Sequence, residues 1–156
     1  MYIGHSTTRR VIQNSTTLPN RDKTAGFGYG TVVNDQRILI IVGPTASGKS
    51  GLAIMLAKHY GGEVISADSR QVYKGLDLGT GKVTTREMDG VRHHLLDVVS
   101  PKRTYTANDY VIAARKAIAD VRSRGKLPII CGGTGFYIDA LLGRVNMPEV
   151  PPDPKL

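Results

Sequence analysis

The sequence predicts an α/β domain, a parallel sheet with helices on both faces. Three observations carry that expectation. Short apolar runs alternate with longer segments whose apolar residues recur at helical spacing. Glycines punctuate the junctions between them. The first run, Ile38-Leu39-Ile40-Ile41-Val42, has no polar alternation, as expected for a strand buried on both faces. Strands alternating with helices build a parallel sheet, because each helix returns the chain to the end where the next strand starts.

Taken in order, the first strand is Ile38 to Val42. A glycine-containing turn leads to a helix over Gly51 to His59, with Leu52, Ile54, Met55 and Leu56 as apolar positions, and Gly61-Gly62 ends it. Glu63-Val64-Ile65-Ser66-Ala67 reads as a second strand and Leu95 to Val99 as a third. Thr106 opens a long helix that runs to Arg124. Thr106 and Asp109 form a capping-box pair, Val111, Ala114, Ile118 and Val121 lie on one stripe, and Gly125 suits the position past the last turn. Leu127-Pro128-Ile129-Ile130-Cys131 is a further strand, with its proline near the start, where a missing N–H is tolerated. Gly132-Gly133 turns the chain into a last helix, Thr134 to Leu142. The domain is expected to occupy residues 37–147. Residues 148–156, with Pro148, Pro151, Pro152 and Pro154, read as the start of a further region.

Residues 1–36 show no sustained period and no apolar stretch of a secretory signal. They are expected to be a disordered extension, or the product of a start codon placed too far upstream. An organellar transit peptide is the alternative, since no acidic residue precedes Asp22.

The chain has 156 residues, with 21 Lys+Arg against 13 Asp+Glu, a formal charge of +8. Such a balance favours polyanions, either nucleic acid or phosphorylated small molecules. At 40% hydrophobic and 22% charged, the composition excludes a disordered chain and a coiled coil. A single cysteine excludes an internal disulfide and a thiolate zinc cluster. The longest pure apolar run is Ile38 to Val42, far short of a membrane span, so no membrane partner is expected.

Gly43-Pro44-Thr45-Ala46-Ser47-Gly48-Lys49-Ser50 matches G-x-x-x-x-G-K-[ST] in full, between a predicted strand and a predicted helix. Glycines let backbone N–H groups turn inward around phosphate oxygens, and the helix N-terminus adds its positive end. Lys49 reaches a terminal phosphate, and the Ser50 hydroxyl is suited to ligate a divalent cation, magnesium by preference. The fold is therefore expected to be P-loop NTPase-like. The motif specifies a phosphate chain and leaves open whether that chain belongs to ATP.

Asp68 to Gly75 follow the second strand directly, and strand C-terminal ends line the ligand crevice of a doubly wound sheet. Asp68 therefore falls on the same edge as the phosphate loop. With Gln71 three residues later it is equally a capping box. A carboxylate reaching magnesium through water is the third option.

Four blocks occur in order: Gly43 to Ser50; Asp68-Ser-Arg-Gln-Val-Tyr-Lys-Gly-Leu-Asp-Leu-Gly-Thr80; His93-His-Leu-Leu-Asp97; and Gly132-Gly-Thr-Gly-Phe-Tyr137. Over Arg37 to Leu156 the chain resembles the tRNA dimethylallyltransferase (tRNA isopentenyltransferase) family. The resemblance implies that the loop holds the diphosphate of dimethylallyl diphosphate and that no ATP is split. The dimethylallyl group would move to N6 of an adenosine adjacent to the anticodon of a tRNA. It implies Lys49 and the loop amides as stabilisers of the leaving diphosphate, Ser50 as a magnesium ligand, and Asp68 as general base. Ser69, Arg70, Gln71 and Thr134 match positions that contact the tRNA anticodon stem-loop. A cytoplasmic monomer is expected.

Departures from the family pattern are Ser50, where threonine is more familiar, and Gly81-Lys82-Val83, where Ala-Lys-Pro is more usual. Family members run about twice as long, so the chain is expected to stop before a C-terminal helical region that grips tRNA and supplies an arginine to the diphosphate.

Other polar residues read as structural. Cys131 suits a core position, and His93 and His94, adjacent on a strand, point to opposite faces and cannot pair on a metal. Asp97 is either a magnesium carboxylate or a loop or cap ligand. Arg115, Lys116, Arg122, Arg124 and Lys126 face only Asp120 in their own segment, partly complementing the helix dipole and partly available to RNA phosphate. Tyr73, Tyr105 and Tyr110 suit packing. Two further functions stay open: a P-loop kinase using ATP, with Arg86, Arg92 and Arg103 as lid candidates, and an inactive diphosphate-binding fragment.

Overall fold

The computed structural model describes residues 37–77 and 79–145. The expectations placed on residues 1–36 and 148–156 lie outside them. Among the described residues the elements run β1 (Leu39–Val42), α1 (Lys49–Tyr60), β2 (Gly62–Ser66), α2 (Thr85–Met88), β3 (His93–His94), α3 (Ala107–Ser123), β4 (Leu127–Gly132) and α4 (Gly135–Leu141). The strands form one parallel sheet in the order β1-β4-β2-β3. No helix among the described residues is long and apolar enough to cross a membrane.

Strand alternation sorts the core into two layers. Val64, Ile129 and Cys131 face α1 and pack with Ala53 and Ala57. Ile65 and Ile130 face the other way and pack with Val111, Ala114, Ile118 and Val121 of α3 and with Tyr137 and Ile138 of α4. The predicted stripe of α3 is thus its buried face. Its N-terminus carries the expected capping box: the Thr106 hydroxyl accepts from the Asp109 N–H at 3.1 Å, and the Asp109 carboxylate accepts from the Thr106 N–H at 2.9 Å. Gly61, at φ 66°, ends α1 in the left-handed conformation that glycine adopts without cost.

Two sequence expectations need correction, and one short helix was not predicted. β1 is half-buried rather than buried on both faces, and Val42 is 49% exposed. The reason is its place in the sheet: among the described residues β1 pairs only with β4, whereas β4 is flanked on both sides and holds the buried pattern. The third strand is His93–His94, not Leu95 to Val99. Leu95 and Asp97 have φ of 63° and 56°, which takes the chain out of the extended region, and Val99 returns only to bridge Tyr73. The short helix α2 went unread although Thr84 and Glu87 spell its capping box.

Glu63 is a buried acid in β2, 1% exposed, at the N-terminal ends of the strands. His94 Nε2 lies 2.7 Å from its carboxylate, Arg124 Nη2 2.8 Å and Lys126 Nζ 3.0 Å. Burial alone would push this carboxyl up. The hydrogen bonds from Arg124, His94 and Lys126 outweigh it and hold the group at about 2, against 4.5 for a free glutamate. A depressed folded-state value stabilises the fold above the unfolded value and loses that contribution as the pH falls towards the folded one. Stability is therefore expected to drop by up to about 3 kcal/mol between roughly pH 5 and pH 2 through this group alone. Urea midpoints measured across that range check it: Glu63→Gln should flatten the acid limb, and an unchanged slope would remove the cluster from the account.

Candidate functional site

The phosphate loop joins β1 to α1. Gly48 is the N-cap of α1 with φ 79°, no side chain caps the helix, and no acidic residue lies in its first turn. The first N–H groups of a twelve-residue helix are thus left without a protein acceptor, which makes its N-terminus an anion site. Ala46 has φ 61°, so the loop reverses direction at a non-glycine residue as well. The Lys49 ammonium is held inside the loop, donating to the Pro44 carbonyl and lying 3.4 Å from the Ser47 hydroxyl. Gly43 is packed against Ser47 and the Lys49 stem: a Cβ there would stand 3.4 Å from the Ser47 Oγ and 3.5 Å from Lys49 Cδ. Ser50, in the first turn of α1, makes no side-chain hydrogen bond with the described residues, so its hydroxyl is free to act as a ligand.

The second half of the site grows from the ends of β2 and β4. The Ala67 N–H donates to the Cys131 carbonyl at 2.8 Å, and the Thr134 N–H donates to the Ala67 carbonyl at 3.1 Å. Gly132 lies directly beside Ala67, and a Cβ on Gly133 would stand 3.6 Å from the Gly43 carbonyl oxygen. The phosphate loop, the Gly132-Gly133 turn and the turn after β2 are therefore neighbours at one sheet edge. Across this junction the Ser69 N–H donates to Thr134 Oγ1 at 3.0 Å, and the two hydroxyls lie 3.3 Å apart. Thr134 occupies the N-cap of α4 but directs its hydroxyl to Ser69 instead of to the helix.

Asp68 caps its turn with one carboxylate oxygen and leaves the other without a partner among the described residues. Its Oδ1 accepts from the Arg70 N–H at 2.8 Å and the Gln71 N–H at 3.3 Å, while Oδ2 has no hydrogen-bond partner among the described residues. No helix follows, so the capping-box reading is corrected: the carboxylate fixes a turn, and the Gln71 side chain goes elsewhere. Gln71 Nε2 donates to the Thr80 and Gly81 carbonyls at 3.2 and 3.1 Å, and its Oε1 accepts from Ser66 at 3.4 Å. Of the expected tRNA contacts, Asp68, Ser69 and Thr134 are brought together, Arg70 is exposed beside them, and Gln71 is occupied inside the loop.

The remaining candidates sort by position. Asp97 pairs with Lys82 at 2.6 Å and is a loop ligand. His93 approaches the Val91 carbonyl and His94 approaches Glu63, and no metal-binding group of three or more His, Cys, Asp or Glu occurs among the described residues. Burial pushes the Cys131 thiol up to about 11, against a smaller opposing pull from Lys49, so it is no nucleophile. Arg124 and Lys126, which the sequence set against Asp120 alone, bind the distant Glu63. Of the lid candidates, Arg92 precedes β3 and so lies at the end of the sheet away from the loop. Tyr110 is fully buried and stacks on Tyr137 with centroids 4.4 Å apart, a packing role. Sequence reasoning missed Lys82, whose side chain is 6% exposed although it is a surface type of residue.

A model of the IPP transferase family matches residues 71–156, more than half of the chain. A tRNA dimethylallyltransferase of Oceanobacillus iheyensis is 54% identical over 114 residues, covering 73% of this chain and 36% of that protein. The full-length tRNA isopentenylpyrophosphate transferase of Bacillus halodurans superposes with a TM-score of 0.70 at 44% identity, over 77% of this chain and 40% of that one. A eukaryotic dimethylallyltransferase acting on tRNA gives 0.65 at 39% identity, over 67% of this chain and 26% of that one. The chain thus spans well under half the length of each of these relatives.

Proposed function

The chain belongs to the IPP transferase family, and on that premise we propose that it is the diphosphate-binding part of a tRNA-modifying prenyltransferase. The reaction moves a dimethylallyl group from dimethylallyl diphosphate to N6 of an adenosine adjacent to the anticodon and releases diphosphate. One observation carries this reading: an uncapped helix N-terminus with its lysine and a carboxylate with a free oxygen share a single sheet edge.

The chemistry follows from what each group can hold. As the C1–O bond breaks, negative charge grows on the leaving diphosphate. The loop N–H groups and Lys49 are placed to stabilise it, which is where electrostatic catalysis acts. As the C1–N6 bond forms, the amine must lose a proton, and Asp68 Oδ2 is the acceptor on that edge. Ser69 and Thr134, tied to each other, present hydroxyls beside it for the RNA, and Arg70 offers a charge to phosphate. The adenosine has to leave its stack to reach a crevice at the strand ends. Magnesium fits the site through the free Ser50 hydroxyl as its single protein ligand, and when bound it would share the diphosphate charge.

Calorimetric titration tests the loop's ligand. Dimethylallyl diphosphate is expected to bind and ATP to bind weakly or not at all. Tight ATP binding without dimethylallyl diphosphate binding would favour a kinase instead. Lys49→Ala should weaken dimethylallyl diphosphate at least about tenfold, the worth of one charge-assisted contact. Unchanged affinity would place the diphosphate elsewhere. Transfer to unmodified tRNA, by this chain alone and with the remainder of a full-length relative added, decides whether this part suffices for turnover.

A further inference from the structure

The Lys82 side chain is 6% exposed and its donors are committed. Its Nζ lies 2.6 Å from Asp77 Oδ1, 2.6 Å from Asp97 Oδ1 and 3.0 Å from the Tyr73 carbonyl. Burying a lysine is unfavourable unless its charge is matched, and here two carboxylates match it. Those partners belong to different segments, the loop after β2 and the turn after β3. Asp97 is in turn fastened to the first segment: its N–H donates to the Gln71 carbonyl at 3.1 Å. Gln71 then donates its own N–H to Asp68 Oδ1. Val98 and Val99 N–H groups both donate to the Val72 carbonyl, so the turn carrying Asp97 lies along the loop that carries Gln71.

The turn is also strained. Leu95 and Asp97 hold φ of 63° and 56°, uncommon for residues other than glycine, so the surrounding contacts must over-determine it. The Lys82–Asp97 pair is the charged contact placed to do so.

We propose that Lys82 is a positioning residue for the Asp68 carboxylate, acting through Asp97 and the Gln71 backbone. The inference deepens the function given above and rests on Asp68 being the base. Lys82 touches no reacting atom. It fixes the turn whose N–H groups hold Asp68 Oδ1, and thereby leaves Oδ2 facing the edge where the amine would arrive.

The two acidic partners make the proposal testable, because only Asp97 also bonds the Gln71 backbone directly. Asp97→Asn breaks the ion pair at the link to Gln71. Asp77→Asn breaks an equally short ion pair, while the link from Asp77 to Gln71 runs through the Asp77 backbone carbonyl and Thr80, which the substitution leaves in place. Amide hydrogen exchange of Arg70 and Gln71, followed by NMR on the 156-residue chain, is the readout. Lys82→Met and Asp97→Asn should speed exchange at both amides by at least about tenfold, with the β4 amides of Ile129 to Cys131 unchanged. Asp77→Asn should leave Arg70 and Gln71 within about twofold of the parent. Equal effects from Asp77→Asn and Asp97→Asn, or no effect from Asp97→Asn, would overturn the proposal. Should Lys82→Met fail to fold, the two aspartate variants still decide it. Failure of the parent chain to bind dimethylallyl diphosphate would count against the function and leave the exchange comparison standing.

Discussion

Gly132→Ala is expected to leave a protein that cannot close its sheet. A Cβ on Gly132 would stand 2.1 Å from the Ala67 carbonyl oxygen and 2.4 Å from its carbonyl carbon. Both atoms are backbone, so no side chain can swing aside. Relief requires β2 and β4 to separate at their C-terminal ends, where the Ala67 N–H meets the Cys131 carbonyl and the Thr134 N–H meets the Ala67 carbonyl. Both strands are buried there, which leaves those groups without water as a substitute partner. The cost is at least about 3 kcal/mol, the upper part of the range for overpacking. A melting temperature lowered by at least about 10 °C is the expected reading. The neighbouring Gly133→Ala, with its nearest contact at 3.6 Å, is the control and should cost far less. If the two variants melt together, the close approach is not what requires glycine.

Asp68→Asn should cut transfer sharply while keeping the fold and diphosphate binding. The side-chain amide would retain an oxygen to accept from the Arg70 and Gln71 N–H groups, so the turn stays capped, yet it cannot accept a proton. General-base catalysis contributes about 10²- to 10⁴-fold, so turnover measured on a full-length enzyme should fall by that factor. Asp68→Ala removes the cap as well and should lose a further ~1 kcal/mol of stability. The pair of substitutions separates the observed cap from the proposed proton acceptor. Undiminished transfer by Asp68→Asn would leave the reaction without its proton acceptor and the assignment with it.

The parts of the fold legible in the sequence were those specified by neighbours in the chain. The Thr106–Asp109 box, the stripe of α3 and the glycine that ends α1 all lie within one or two turns of what they determine. So does the phosphate loop, whose spacing states its own geometry. What failed depends on residues far apart. An apolar run at Leu95 to Val99 is no strand because left-handed φ values break it, and nothing in its composition announces them. β1 reads as interior from its residues, while its exposure depends on which strands flank it. Arg124 and Lys126 looked like surplus charge until Glu63, more than sixty residues away, took both. Lys82 was missed for the same reason: its partners Asp77 and Asp97 are separated by a strand and a helix. Within the site, the resemblance named Ser69 and Thr134, and the structure joins them by hydrogen bonds. The Gln71 side chain bonds the Thr80 and Gly81 carbonyls, a link that the spacing of the motif does not announce.

The Glu63 cluster and the Asp68 carboxylate stand at opposite ends of the same strand. Asp68 lies two residues past the end of β2, five steps along the chain from Glu63 and up to about 16 Å away if extended. Glu63 is matched where it sits by Arg124 and Lys126, so little unbalanced negative charge is left to act at the far end. Durability and reactivity are thus set by two separate instruments along β2. Substitutions around Arg124 and Lys126 can harden or soften the domain towards acid without retuning the proposed proton acceptor. An engineer or a lineage adapting this chain to a different acidity could adjust either end and leave the other alone.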